Sequence, residues 1–250
     1  MKDGGIKLTP QAHEAVYAAR MSGNLRDKLF FLPHLPPHAV VFDYGCGPGD
    51  LGRSLVKIRP DVLVIGYDNH PGRAAAAGAY QDEDEAMSAF RVASRGRVSL
   101  MLMSSVAHEI ASFLGQKETE RVFALAHSFD MFAYRDMGFT ESAQLTPDQV
   151  RSDIPLWMIE SFVSRWGPAD NQASVAHLML KSRYPDNWEA ENLENYGAIS
   201  ASAALRLVSE SHPRPILNIH ETPYFLAQDM MNRYGRRPNT ATHVTILASR

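Results

Sequence analysis

The chain has 250 residues, with 25 Lys and Arg against 28 Asp and Glu, a formal charge of −3 at pH 7. Hydrophobic residues make up 45% and charged residues 21%, which excludes a largely disordered chain and a strongly basic, bulk nucleic-acid binder. Cys46 is the one cysteine, so an intrachain disulfide and a cysteine-based zinc site are excluded as well.

The first ten residues are polar and lack an apolar signal-peptide core, and no run approaches the roughly 18 apolar residues of a membrane span. The expectation is a soluble, cytoplasmic protein without membrane partners. Pro10 opens a predicted helix reaching about Met21. Asn24 caps a second, with Leu25, Leu29 and Leu32 at helical spacing, and the prolines between Phe31 and His38 stop it. Apolar runs at 39–42, 61–68, 98–104 and 130–134 read as strands. Helices are predicted from Asp50, with Leu51, Leu55 and Ile58 on one face, and at 71–79, 84–95, 107–114 and 118–126. This alternation predicts an α/β fold with a mainly parallel sheet. It pauses over 140–198, where helix-like pieces fall at 155–166, 171–182 and 186–195. It resumes with a helix at 199–210, a strand at 215–220, a helix at 223–235 and a last strand, Thr242 to Ala248. Four segments follow: an N-terminal helical segment 1–38, an α/β core 39–139, a helical insert 140–198 and a C-terminal part of the core 199–250.

The strand at 39–42 runs into Asp43-Tyr-Gly45-Cys46-Gly47-Pro-Gly49 and then a helix. Glycines permit positive φ and close approach of a ligand to the backbone, and a helix start offers amide donors. Asp68 ends the next strand, where a carboxylate can accept hydrogen bonds from a ribose diol. The dinucleotide fingerprint requires a third glycine where this chain has Asp50; a carboxylate beside a pyrophosphate is repulsive, which disfavours NAD and FAD.

An acidic residue two before Gly-x-Gly-x-Gly instead resembles the class I S-adenosyl-L-methionine (SAM) methyltransferases. The resemblance covers residues 39–139 well and 199–250 in outline. It implies a seven-stranded, mainly parallel Rossmann-like sheet whose last strand inserts antiparallel, with a helical insert before the last two strands. It implies SAM as cofactor and S-adenosyl-L-homocysteine as product. Asp43, Gly45, Gly47 and Gly49, with Cys46 in the same loop, would line the methionine end. Asp68 would hold the ribose with Asn69 beside it, Asp82 would meet the adenine amino group, and Ser104 would border the cofactor. Segments 104–110, 133–137 and 180–188 are also similar to a bacterial and phage methyltransferase branch.

Methyl transfer from a sulfonium needs a base only when the acceptor must lose a proton. In this fold the residues after the strand at 98–104 face the methyl group. His108 is the first base candidate by its ordinary pKa, Glu109 the second, and neighbours in a helix do not face each other as a dyad. The alternative is that Ser104 or Ser105 caps the helix and His108 and Glu109 are solvated. Arg135 and Asp136 sit at a carboxyl strand end, where they touch substrate, pair with each other or cap the insert.

The insert carries Trp157, Trp166, Tyr184, Trp188 and Tyr196, rings that stack on a planar substrate or simply form core. Its four basic residues stand against nine acidic ones, a poor surface for a phosphate backbone. A small or medium polar acceptor is therefore expected. The alternatives are an RNA or DNA methyltransferase using Arg91, Arg95 and Arg97 or Arg233, Arg236 and Arg237, and a non-catalytic SAM-binding scaffold. His34 and His38 have metal-ligand spacing, but the intervening prolines forbid the helix that would align them, so no metal is expected.

Overall fold

A computed structural model describes residues 25–139, 154–235 and 240–250. The helix expected at 10–21, its Asn24 neighbour and Arg236 and Arg237 lie outside the described residues. The strands are β1 (Val40–Tyr44), β2 (Leu63–Tyr67), β3 (Ser99–Ser104), β4 (Met131–Met137), β5 (Arg214–Glu221) and β6 (His243–Ser249). They form one sheet in the order β2-β1-β3-β4-β6-β5. β2, β1, β3 and β4 pair in parallel, whereas β6 runs antiparallel between β4 and β5.

Among the described residues the sheet therefore has six strands and is mixed, not seven-stranded and mainly parallel. The missing strand is reduced to one bridge, Tyr67 to Tyr80. Two residues later Asp82 turns the chain into a helix by accepting from the Glu85 amide at 2.9 Å. A sequence of four acids, Asp82 to Glu85, suits a helix start, where the dipole favours negative charge, and not an apolar strand.

The helices are α1 (Leu25–Lys28), α2 (Asp50–Ile58), α3 (Pro71–Ala77), α4 (Glu83–Ala93), α5 (Ala107–Phe113), α6 (Gln116–Leu125), α7 (Leu156–Trp166), α8 (Gln172–Lys181), α9 (Trp188–Glu191), α10 (Ala201–Ser211) and α11 (Tyr224–Tyr234). Side chains alternate across the central strands, so Val40, Phe42 and Tyr44 pack with α4, α5, α6 and α10. Val41, Leu100 and Leu102 pack on the opposite face with Phe31, Leu51 and Leu55. β1, β3 and β4 are buried on both faces, which explains their continuous apolar runs. A third cluster joins α7 and α8 to α11 through Met158, Phe162, Leu178, Leu226 and Met230.

The helix expected at 186–195 shrinks to α9. The reason is Lys181, fully buried at the end of α8. Its ammonium donates to the carbonyls of Glu191 and Glu194. A helix through 195 would use the Glu191 carbonyl for the Asn195 amide, and that amide donates to Ser112 Oγ instead. No helix among the described residues is long and apolar enough to cross a membrane.

Candidate functional site

The carboxyl ends of β1, β2 and β3 surround a cavity of about 230 Å³. Asp43, Gly45, Cys46, Gly47, Asp68, Asn69 and Ser104 all line it. The glycine loop reaches this place by left-handed turns at Gly45, Gly47 and Gly49. At Gly45 a Cβ would come within 2.5 Å of Val106 Cγ2, so only glycine lets the loop lie against the end of β3. Gly49 lies off the cavity; a Cβ there would sit 2.8 Å from Ala77, and the residue serves the packing of loop on α3.

The loop's amides are spent internally. Gly45 and Cys46 donate to the Tyr67 carbonyl at 2.8 and 2.9 Å, and Gly49 to Cys46. The Asp68 carboxylate accepts from Gly47 N at 2.8 Å and His70 N at 2.9 Å. Asp68 thus holds the loop in place, with a second lone pair on each oxygen still open to a ligand. Asp43 is the contrast: buried, with no partner on Oδ2. Burial pushes its carboxyl up to about 7, with Lys28 opposing and Asp68 reinforcing the shift. Lys28, on α1, lines the same wall; burial and Arg135 bring its ammonium down to about 8 against the pull of Asp43, Asp136 and Asp50. Ser104 Oγ is a second buried atom without a partner. The Cys46 thiol is raised by burial and by Asp43 and Asp68, so it stays protonated.

Asp82 does not line the cavity, since its carboxylate caps α4. Glu83, the next residue, does. It accepts from Tyr44 Oη at 2.8 Å and, in a two-pronged contact, from Arg121 at 2.7 and 2.8 Å. Arg121 and its hydrogen bonds hold Glu83 below its ordinary range despite burial.

A second, smaller cavity of about 90 Å³ lies beside the first. Ser105 and Glu109 line both. Ser105 holds φ at 61°, an unusual conformation for a serine, and its amide donates to the Arg135 carbonyl at 2.8 Å. The other walls come from His108, Arg135, the 191–196 loop, α11 and His243. Neither Ser104 nor Ser105 caps α5. Asp136 does so from β4, accepting from the amides of Ala107 and His108 at 2.7 and 3.1 Å. Its other oxygen lies 2.6 Å from His108 Nδ1. The far nitrogen of that ring is 3.6 Å from Glu194.

These contacts decide protonation. Burial opposes charge on His108, but Asp136 and Glu194 overcome it and raise its pKa well above the ordinary value. Burial likewise opposes charge on Asp136, yet His108 and the backbone amides hold it below the carboxylate range. Glu109 differs: burial pushes it up to about 7, with His108 and Arg73 opposing and Glu194 and Asp136 adding to the shift. Asp136 lines neither cavity and acts through His108. Arg135, 2% exposed, lines the second cavity.

Sequence reasoning did not single out Lys28, Glu83 or Glu194. Glu83 had a signal, since it adjoins Asp82 and faces away from the cap; the other two had none. Among the insert's aromatics, Trp188 and Tyr196 are core, and Trp166 packs partly buried against them. In the basic clusters, Arg97 donates to the His38 carbonyl at 2.5 Å and Arg233 pairs with Asp229 at 2.9 Å. Among the described residues no group of His, Cys, Asp and Glu is placed to hold a metal.

No protein-family model matches the sequence, and no curated protein sequence does. Solved structures do match. The plantazolicin methyltransferase BpumL, solved with a triazolic desmethylPZN analog and SAH, is 13% identical over 96% of this chain and 92% of its own, with a TM-score of 0.52. The pyocyanin biosynthetic protein PhzM is 12% identical over 98% of this chain and 60% of its own, with a TM-score of 0.50. An O-methyltransferase family 2 protein from Planctomyces limnophilus DSM 3776, in complex with apigenin, is 14% identical over 95% of this chain, with a TM-score of 0.47. The chain spans 60% and 61% of the length of the last two. The fold is that of the class I SAM-dependent methyltransferases.

Proposed function

We propose that the protein is a SAM-dependent methyltransferase acting on a small polar acceptor, with the cofactor in the first cavity and the acceptor in the second. The observation that carries this reading is the meeting of the two cavities at Ser105 and Glu109. In this reading, residues 39–139 and 199–250 form the core, 140–198 is a cap that supplies one wall of the acceptor cavity, and 1–38 is an N-terminal segment.

The first cavity fits SAM on its own chemistry. The amino-acid end of SAM carries an ammonium and a carboxylate. The unpartnered Asp43 Oδ2 complements the first and Lys28 the second. Asp68 offers its remaining lone pairs to ribose hydroxyls while keeping the glycine loop folded. Glu83, fixed by Tyr44 and Arg121, is the carboxylate placed for the adenine end. When bound, SAM supplies a methyl group on a positively charged sulfur.

The chain's own contribution is then to hold the acceptor and to take its proton. His108 is the weaker base, because its charge is locked between Asp136 and Glu194. Glu109, with a carboxyl near neutrality and a place in both cavities, is the better one. Asp136 is a positioning residue that fixes the start of α5 and the His108 ring. The size of the second cavity and the engaged state of Arg97 and Arg233 favour a small acceptor over RNA or DNA.

Calorimetric titration with SAM and with S-adenosyl-L-homocysteine tests the reading. Micromolar binding is expected. No binding of either at millimolar concentration overturns it.

A further inference from the structure

Three acids and three cations line the second cavity: Glu109, Glu191 and Glu194 against His108, Arg135 and Arg183. Most of this charge is already matched. His108 is paired with Asp136 at 2.6 Å. Arg183 is paired with Asp229 at 2.5 Å. Glu191 accepts from the Tyr196 hydroxyl. Arg135 differs in its hydrogen bonds, although Asp27, Asp136 and Glu221 favour its charge. It is 2% exposed, its Nη2 has no hydrogen-bond partner, and its Nη1 reaches only the Ser105 hydroxyl at 3.5 Å. A guanidinium presents a planar fork suited to a carboxylate, and leaving its donors unmade in a buried place is costly. Glu109 is the complement. It is the acid that touches both cavities, so a cation beside it faces the first cavity.

Resting on the methyltransferase reading, we propose that the acceptor is a small amino acid-type zwitterion. Its carboxylate is held by Arg135, and its amine, facing Glu109, is the atom methylated. A wall holding a guanidinium with an unmade donor, and a junction holding a carboxyl, are complementary to a molecule carrying both charges a few bonds apart. An alcohol acceptor would leave that donor unmade. The proton balance follows: the substrate ammonium gives one proton to the Glu109 carboxylate, freeing the nitrogen lone pair. That pair forms the new N–C bond as the C–S bond breaks, and the C–S electrons stay on sulfur as the neutral thioether of S-adenosyl-L-homocysteine.

The test uses the full chain saturated with S-adenosyl-L-homocysteine, titrated calorimetrically with the standard free amino acids, each against its own carboxamide. At least one amino acid is expected to bind about ten-fold or more tightly than its amide, the scale of a charge-assisted pair. The same amino acid, with labelled SAM, is expected to give an N-methyl product by mass spectrometry. Arg135→Gln is expected to erase the acid-over-amide preference while leaving S-adenosyl-L-homocysteine affinity within about two-fold. If that variant fails to fold, the matched ligand pairs on the wild-type protein decide alone. The proposal is overturned if S-adenosyl-L-homocysteine binds but no amino acid does, if amides bind as well as acids, or if the methyl group appears on oxygen. Absence of S-adenosyl-L-homocysteine binding overturns the methyltransferase reading with it, so the two failures are told apart.

Discussion

The two cavities are built in different ways. The first gathers the ends of adjacent parallel strands and the turns that leave them, so much of its lining comes from short, contiguous stretches such as 43–47, 67–69 and 104–106, with Lys28, Glu83 and Arg121 added from helices. The second is assembled from segments far apart in the chain: α5, the end of β4, the loop after α9, the start of α11 and the first residue of β6. The ties that hold it are correspondingly long in range. Asn195 N donates to Ser112 Oγ at 2.7 Å, and Ser112 Oγ donates to the His108 carbonyl at 2.6 Å. Lys181 gathers the same loop from the other side, with its ammonium 4.1 Å from the Tyr196 ring. The lesson is that the first cavity rests largely on local turn chemistry, whereas the second can be remade by changing a few distant contacts.

Four substitutions sharpen this contrast, beginning with the junction. Glu109→Gln is expected to lower turnover by roughly a hundred- to ten-thousand-fold, the usual range for loss of a general base. Binding of S-adenosyl-L-homocysteine should be unchanged. In the wild type, kcat/KM should rise as pH passes about 7, where Glu109 loses its proton among His108, Glu194, Arg73 and Asp136. The Gln variant should lack that limb.

Asp136→Asn attacks the second cavity from behind. Breaking a buried ion pair on one side costs about 3–5 kcal/mol, to be read from urea denaturation. The pH signs are opposite for the two partners. His108, raised in the folded state, adds stability that is fully present below its ordinary 6.5 and is lost as pH rises through the folded value. Asp136, lowered in the folded state, adds stability that is present above its ordinary 3.8 and is lost as pH falls through the folded value. The variant's stability profile should be flatter at both ends.

Gly45→Ala tests the first cavity alone. Its left-handed φ and the 2.5 Å approach to Val106 should together weaken S-adenosyl-L-homocysteine binding by roughly ten- to a hundred-fold. An unchanged affinity would mean that the loop does not bear on the ligand. Asp50→Asn is the smallest. It removes a solvent-exposed pair with Arg53 at 2.6 Å, and stability should move by no more than about 1 kcal/mol.

What could be read from residues alone follows the same division. All six strands and most of the helices were visible; β1, β3 and β4 show as apolar runs because they are buried parallel strands, and surface helices carry an apolar stripe. The glycine loop and Asp68 were visible because their chemistry is written in adjacent residues. Lys28 was not, since nothing in a short polar turn announces that it will be buried beside Asp43. Glu194 was not, because its approach to His108 depends on Lys181 drawing the 191–196 carbonyls inward. Asp82 and Glu83 show the finest limit. Both are acids at one helix start, and the cap takes the first, so the second faces the cavity. The seventh strand was expected from the fold resemblance, and the local acidic run overrode it.

The single Tyr67–Tyr80 bridge has a consequence for how the sheet opens. It leaves β2 half-covered, with Leu63 40% exposed. At the other edge β5 is open to solvent along nearly its whole length. Amide hydrogen exchange should therefore run fastest at these two margins and slowest in β1, β3 and β4, whose residues are almost all buried. Asp43, Ser104, Arg135 and Asp136 all stand on those slow central strands. Fraying from the β5 margin would reach them last, whereas opening of β2 would release the glycine loop, whose Gly45 and Cys46 amides donate to the Tyr67 carbonyl and whose Gly47 amide donates to Asp68, so the first cavity should lose its shape from that side first.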